Sequence, residues 1–370
     1  MLNKNFNKPQ KKHSMLWFAV IVMATLSLNI NNSNAQTTDL YPMMDWMGRI
    51  GFINQKGEVV VKPQFEYVSY GNYEGDDLIL VKLKDKYGYI DKTGKFVLQP
   101  QYEDAHEFSE GLAGVKIDGK EGFIDKTGNM VITPRYDFVS YFQNGIACVQ
   151  LNGKFGYINN NGDVVIKLDY EIDEIHEHCQ EGMVPFKSNG KWGYYDNTGK
   201  VVIEPQFEFA QPYSEGVAAV KINGKYVLID KTGKVISQPL NYKHIGQFSG
   251  GLAGVLDENS DNKYIDKTGK IVNRLPDDSF SDGLTFCFDA EKNVGYKDKN
   301  GKIVIEPKYI DGFEFYHGLA LVQISETYGI DSSWFGYADF GYINKSGDIV
   351  YTFKMHENED LDLPHEPYKK

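Results

Sequence analysis

Along most of the chain, apolar positions fall into two short patterns set side by side. In one, large apolar residues alternate with small or polar ones, as in Tyr87-Gly88-Tyr89-Ile90-Asp91; in the other a β-branched run follows a glycine, as in Val201-Val202-Ile203. Both patterns predict strands. The glycine between them recurs as Gly57, Gly94, Gly128, Gly162, Gly199, Gly233, Gly269, Gly301 and Gly347, at spacings of 37, 34, 34, 37, 34, 36, 32 and 46. Nine such turns predict nine tandem units, most of them 34–37 residues long.

The residues of the turn explain its geometry. Asp91, Asp125, Asp196, Asp230, Asp266 and Asp298 stand three residues before the glycine, where a carboxylate can cap the following amides; Asn54, Asn159 and Asn344 take the same place and keep the capping without the charge. The glycine then supplies a positive φ for a type I turn with a bulge. These acids are therefore read as turn formers and not as a row of cation ligands.

Ahead of eight of the hairpins lies a second signature, as in "FSEGLAGVKIDGK" from Phe108, "FQNGIACVQLNGK" from Phe142 and "YSEGVAAVKINGK" from Tyr213. It ends in Asp-Gly or Asn-Gly, a strong two-residue hairpin signal, so each unit is expected to be a meander of at least three strands. Pro63, Pro100, Pro134, Pro205 and Pro307 close most units and, lacking an N–H, are expected to end the third strand. Gly88, Gly122, Gly156 and Gly193 within the second hairpin strand are expected to let a neighbouring aromatic lie against the backbone.

Lys191-Trp192-Gly193 followed by Tyr194-Tyr195-Asp196 resembles the WG repeat family of bacterial β-rich repeats, also called KWG repeats. The resemblance covers nearly the whole chain after residue 35. Most units carry Tyr or Phe in place of Trp, and Glu121 stands at one aromatic place; Val227 and Lys263 replace the strand glycine in two units, and Leu168 replaces one proline. The resemblance implies a repeat scaffold that mediates interactions, with no family-wide catalytic residues to carry over.

A single unit is too small to bury a core of its own, so units must stack and share one. The expected architecture is all-β, an open, curved, solenoid-like array, with a closed β-propeller as the alternative. Nine hairpins but only eight connectors of the "FSEG" type favour the open array, because simple closure would leave one hairpin over. The aromatic share of 14%, with 25 Tyr and 22 Phe, agrees with an all-β chain.

Residues 1–35 differ from the rest: four lysines precede the apolar run Met15–Leu28, and Ser33 with Ala35 supplies small residues for cleavage before Gln36. That is the pattern of a secretory signal peptide, its apolar run short for a membrane span, and it predicts an exported chain, periplasmic or extracellular. Removing it takes four Lys and no acid, so the formal charge moves from −12 to −16. An acidic surface disfavours nucleic acid and anionic lipid as partners. Cys148, Cys179 and Cys287 are an odd number for an exported chain; Cys148 stands where other units have Gly114 or Ala219 and is read as a small buried thiol. Residues 36–354 are assigned to the array and 355–370 to a charged tail.

Binding sites on repeat scaffolds gather where one unit departs from the others. The longest spacing holds "ISETYGIDSSWFGYADFGYI" from Ile324, which inserts Tyr328, Trp334, Phe335 and Tyr337. These are the candidate binding residues, suited to stacking on sugar rings or anchoring a protein, with an end cap as the structural alternative. "DENSDNK" from Asp257 has the alternate acids of a calcium loop but lacks its Gly and its bidentate Glu, and reads as a long hairpin turn. His176, His178 and Cys179 lie close together without a further ligand in view. No phosphate-binding glycine loop, zinc-protease motif or C-x-x-C pair occurs. The expectation is a non-enzymatic scaffold with no cofactor and no metal, binding another protein or envelope component; a glycan-binding module and a hydrolase are the rivals.

Overall fold

The computed structural model describes residues 40–45, 47–69, 78–171, 175–176, 179–257, 262–272, 280–327 and 336–357. The signal-peptide reading of residues 1–35 and the tail from residue 358 lie outside them, as do Tyr328, Trp334, Phe335, His178, Asn259 and Asp261. Among the described residues there are thirty-two strands, β1 to β32 in chain order, and no helix. They form nine antiparallel sheets of three or four strands, each following chain order, and none closes into a barrel. Each of the nine predicted turns lies in its own sheet.

Sheet 3 shows how a unit is made. It comprises β8 (Asp104–Ala105), β9 (Leu112–Ile117), β10 (Lys120–Asp125) and β11 (Met130–Tyr136). Between β9 and β10, Asp118 and Gly119 both take positive φ, 50° and 74°, the geometry of the two-residue hairpin that the sequence predicts. Between β10 and β11, Asp125 Oδ1 accepts bonds from Thr127 N, Thr127 Oγ1 and Asn129 N at 2.7–2.9 Å, while Gly128 N donates to Asp125 O. The nine turn glycines have φ between +80° and +87°. The capping reading of the Asp and Asn row holds.

Two expectations are corrected. Proline does not end the third strand: Pro134 lies within β11, and Pro63, Pro100, Pro205 and Pro307 lie within the equivalent strands. The register instead slips there, with Glu121 opposite Tyr136 and Phe123 opposite Ile132, so two residues of β10 face four of β11. The bulge removes the need for a proline N–H and pushes the backbone against the preceding strand. That pressure is what the strand glycine accommodates. A Cβ on Gly122 would press into Ile132 O and lie 2.7 Å from Pro134 N, so it is backbone and not an aromatic ring that requires glycine. Where Val227 and Lys263 replace the glycine, the third strand is reduced to isolated bridges or to Ile271–Val272.

The chain divides into two compact units, residues 67–280 and residues 1–66 with 281–370. The first holds sheets 2 to 7. Its cores lie between consecutive sheets: Leu112, Phe123, Ile132 and Tyr136 of sheet 3 form one layer with Val139, Phe142, Ala147, Val149 and Ile158 of sheet 4. Stacking to share a core is thus realised layer by layer. Cys148 and Cys179 are both buried in the layer between sheets 4 and 5, and neither they nor half-buried Cys287 form a disulfide.

The second unit holds sheets 1, 8 and 9. Sheet 1 has only β1 (Tyr41–Met44), β2 (Ile50–Ile53) and β3 (Val59–Phe65), and no connector strand precedes β1 among the described residues. Sheet 9 comprises β29 (Asp311–Gly312), β30 (Leu319–Thr327), β31 (Gly336–Asn344) and β32 (Ile349–Glu357). β32 runs three residues into the stretch assigned to the tail, because β31 is long enough to pair with it throughout. Sheet 1 packs directly on sheet 9, in a layer that joins Tyr41, Met43 and Ile53 to Leu319, Leu321, Ala338, Phe340, Tyr342 and Phe353.

Candidate functional site

Sheet 9 departs most from the repeat. Its three long strands have nine residues each, against six, six and seven for β9, β10 and β11. The tight turn between the first two is replaced by residues 328–335, and the ladder continues to that point through Ser325–Asp339, Glu326–Ala338 and Thr327–Tyr337. β32 follows to Gly336–Glu357. The result is a three-stranded ribbon at the base of the aromatic insertion.

Polar contacts knit one row of this ribbon: Ser325 Oγ donates to Asp339 Oδ2 at 2.5 Å, and Lys354 Nζ lies 3.8 Å from Asp339 Oδ1. A register slip between Gln323 and Ser325 takes Ile324 out of the ladder, and its Cδ1 sits over Gly341. Ala338 is fully buried in the layer shared with Tyr41 and Met43, so the root of the ribbon belongs to the core. Of the four candidate residues, the structure places the backbone of Tyr337, paired with Thr327 and His356. It does not bring Tyr328, Trp334 and Phe335 into view.

The other sequence candidates are dispersed. The His176 ring lies 5.9 Å from that of half-buried Trp192, whereas Cys179 is buried and its thiol is pushed up to about 12, chiefly by burial. Asp257 pairs with Lys263 across the hairpin at 2.5 Å. Among the described residues no group of three His, Cys, Asp or Glu side chains is placed to hold a metal ion.

Sequence reading missed the acids of the connector turns. Glu110, Glu181, Glu215 and Asp282 each adopt positive φ, and each carboxylate reaches the next sheet's connector turn. Glu110 accepts from Asn144 N and Gly145 N, Glu181 from Gly216 N, Glu215 from Gly251 N and Asp282 from Gly318 N. Lys231, Lys267 and Lys345 pair with the last three. The signal was present as an acid before Gly111, Gly182, Gly216 and Gly283, one repeat ahead of the next connector glycine. Glu121 was noticed only as a missing aromatic; it is a buried carboxylate that accepts from Val139 N of sheet 4, and burial raises its pKa. Burial also pushes half-buried Glu107 up to about 7.

Seven stretches, residues 50–87, 87–120, 122–155, 155–192, 192–226, 228–259 and 295–328, match the family model described as "WG containing repeat", together more than half of the chain. The protein belongs to the WG repeat family. Its WG repeats as matched begin near the strand that carries the aromatic-Gly pair, so each match runs from one sheet into the next. A search of curated proteins returns no match. Among solved structures, the crystal structure of the eukaryotic initiation factor is 11% identical at a TM-score of 0.49, covering 88% of this chain and 100% of that one. BamB from Moraxella catarrhalis is 12% identical at 0.39, with 70% and 93% covered, and AztD from Citrobacter koseri 14% identical at 0.36, with 69% and 90% covered. None of these likenesses bears on what the WG chain does.

Proposed function

We propose that the WG repeat protein is exported through its N-terminal leader and acts as a non-enzymatic scaffold that binds another protein at the bacterial cell envelope, in the periplasm or at the cell surface. The observation that carries this reading is the lengthened ribbon of sheet 9, where a regular stack of sheets gives way to an aromatic insertion on a buried root. Family membership supports a scaffold, and the acidic chain supports a partner other than nucleic acid. Among the described residues no helix is long and apolar enough to cross a membrane.

The four aromatics within ten residues of the insertion favour a second reading, a carbohydrate-binding module. One experiment separates the two: a pull-down from envelope and secreted fractions with the mature protein beside the Trp334→Ala, Tyr337→Ala variant, with both applied to a glycan array. A protein retained by the wild type and lost from the variant supports the scaffold with its site in the insertion. A glycan bound only by the wild type replaces it with the lectin-like reading. Turnover of a glycoside, ester or peptide panel by the mature protein overturns both in favour of a hydrolase.

A further inference from the structure

Within each sheet the last strand in chain order stands at an edge. Bare edges invite pairing with another chain, and most of these are blunted. In β3, β7 (Phe96–Tyr102), β11, β18 (Val201–Phe207) and β28 (Ile303–Tyr309) the fifth residue is proline and the register slips around it. β15 (Val164–Tyr170) has Leu168 in that place and keeps the slip. β32 is built otherwise: its fifth residue is Phe353, and after one irregularity at Ile343 it pairs with β31 residue by residue from Tyr351 to Glu357.

The two sides of this edge call for different residues. Phe353 is buried and stacks on Phe340 of β31, with centroids 6.0 Å apart. Lys354 turns the other way and ends a row across the sheet, Ser325 beside Asp339 beside Lys354. Its side chain is 70% exposed and its Nζ stands 3.8 Å from Asp339 Oδ1. A strand added here is best matched by an acid opposite Lys354 and an apolar residue opposite Phe353. The chain carries that alternation just beyond β32, as Asp360-Leu361-Asp362-Leu363. It cannot bring it to its own edge. With Asp362 opposite Lys354, Glu357 falls opposite Glu359 and Asn358 alone is left to turn, where tight hairpin loops take two residues or more; with Asp360 there, nothing is left. A second copy meets neither limit. It can set Asp362 and Leu363, or Asp360 and Leu361, opposite Lys354 and Phe353.

We propose that two copies of the chain join by antiparallel pairing, the β32 edge of each taking the Asp360–Leu363 segment of the other. Because that segment follows β32 directly, one two-fold axis satisfies both edges at once, and the contact closes at two copies. Both registers also set Glu357 against a glutamate of the other copy, so Glu357→Gln should tighten the dimer.

Sedimentation equilibrium of the mature protein and two variants tests this. The wild type is expected to dimerise in the micromolar range. Lys354→Glu, and separately Asp360→Lys with Asp362→Lys, should each weaken the dimer at least about tenfold by setting like charges opposite one another. In an equal mixture of the two variants, opposite charges face each other again at both edges, so the mixed dimer should return to near wild-type affinity. Circular dichroism of each variant is expected to match the wild type, which separates lost pairing from lost folding. A wild type that stays monomeric through the micromolar range overturns the proposal, as does a dimer indifferent to both variants or a mixture that stays monomeric.

Discussion

At the scale of single residues, two glycines of one unit type show that the same amino acid answers two different demands. Gly153 has φ +80° with open space around it, so its replacement by alanine is expected to cost about 1 kcal/mol, the price of a left-handed backbone. Gly122 meets the backbone of the bulged strand, which cannot swing aside as a side-chain end would, and Gly122→Ala is expected to cost about 2–3 kcal/mol. Urea denaturation of the two variants measures the difference. The acids also divide. Glu107 has a folded pKa raised to about 7 from 4.5 by burial, so its contribution to stability is full below about pH 4.5 and is lost as pH rises through 7. The melting temperature should therefore fall between pH 5 and pH 8, and Glu107→Gln should flatten that fall. Asp125, held down to about 2, first by its bond from Thr127, acts in the opposite sense: its share is present above pH 4 and is lost as pH falls through 2.

At the scale of elements, what was legible in the sequence is what neighbouring residues decide among themselves. The turn at Asp125–Gly128 and the hairpin at Asp118–Gly119 could be read because capping and positive φ are local demands. The bulge at Pro134 could not, because proline and Gly122 sit on different strands and each looks, alone, like a strand end or a packing gap. Sheet 4 keeps Gly156 and the same slip with Leu168 in place of proline, whereas around Val227 Pro239 is kept and the slip is lost, so it is the glycine that goes with the bulge. The connector acids were hidden for the same reason, one repeat away from the amides that they cap. Glu181→Ala removes a bond to Gly216 N and an exposed pair with Lys231; the pair is worth little in water, so a loss of about 1 kcal/mol is expected, mostly from the bond. Faster exchange of the Gly216 amide, with β9 unaffected, is the measurement that checks it.

At the scale of the whole molecule, the count of nine units, the all-β class and the shared core followed from periodicity alone, because a unit too small to fold by itself has to lean on the next. Seven of the eight expected connectors lie among the described residues; what the count could not reveal is that Tyr41 of the first sheet packs edge-on against Tyr342 of the last. The candidate site was legible as an irregular spacing, and its root in sheet 9 was not, since Ala338 and Met43 meet only across almost the entire chain. If the leader is processed as its sequence predicts, N-terminal sequencing of protein recovered outside the cytoplasm begins at Gln36, five residues before β1.

The connector acids bear on how such a chain changes over generations. Because Glu110, Glu181, Glu215 and Asp282 each offer the next sheet's connector a similar carboxylate, a duplicated repeat of that type arrives with the groups needed to join the sheet that follows it. Copy number is thus free to drift within a lineage. Tyr41 is different: it stands where Ala113, Ala147, Ala218, Ala253 and Ala320 stand in their own sheets and meets Tyr342 of the last sheet edge-on, so selection on a growing or shrinking array would fall first on its first and last copies.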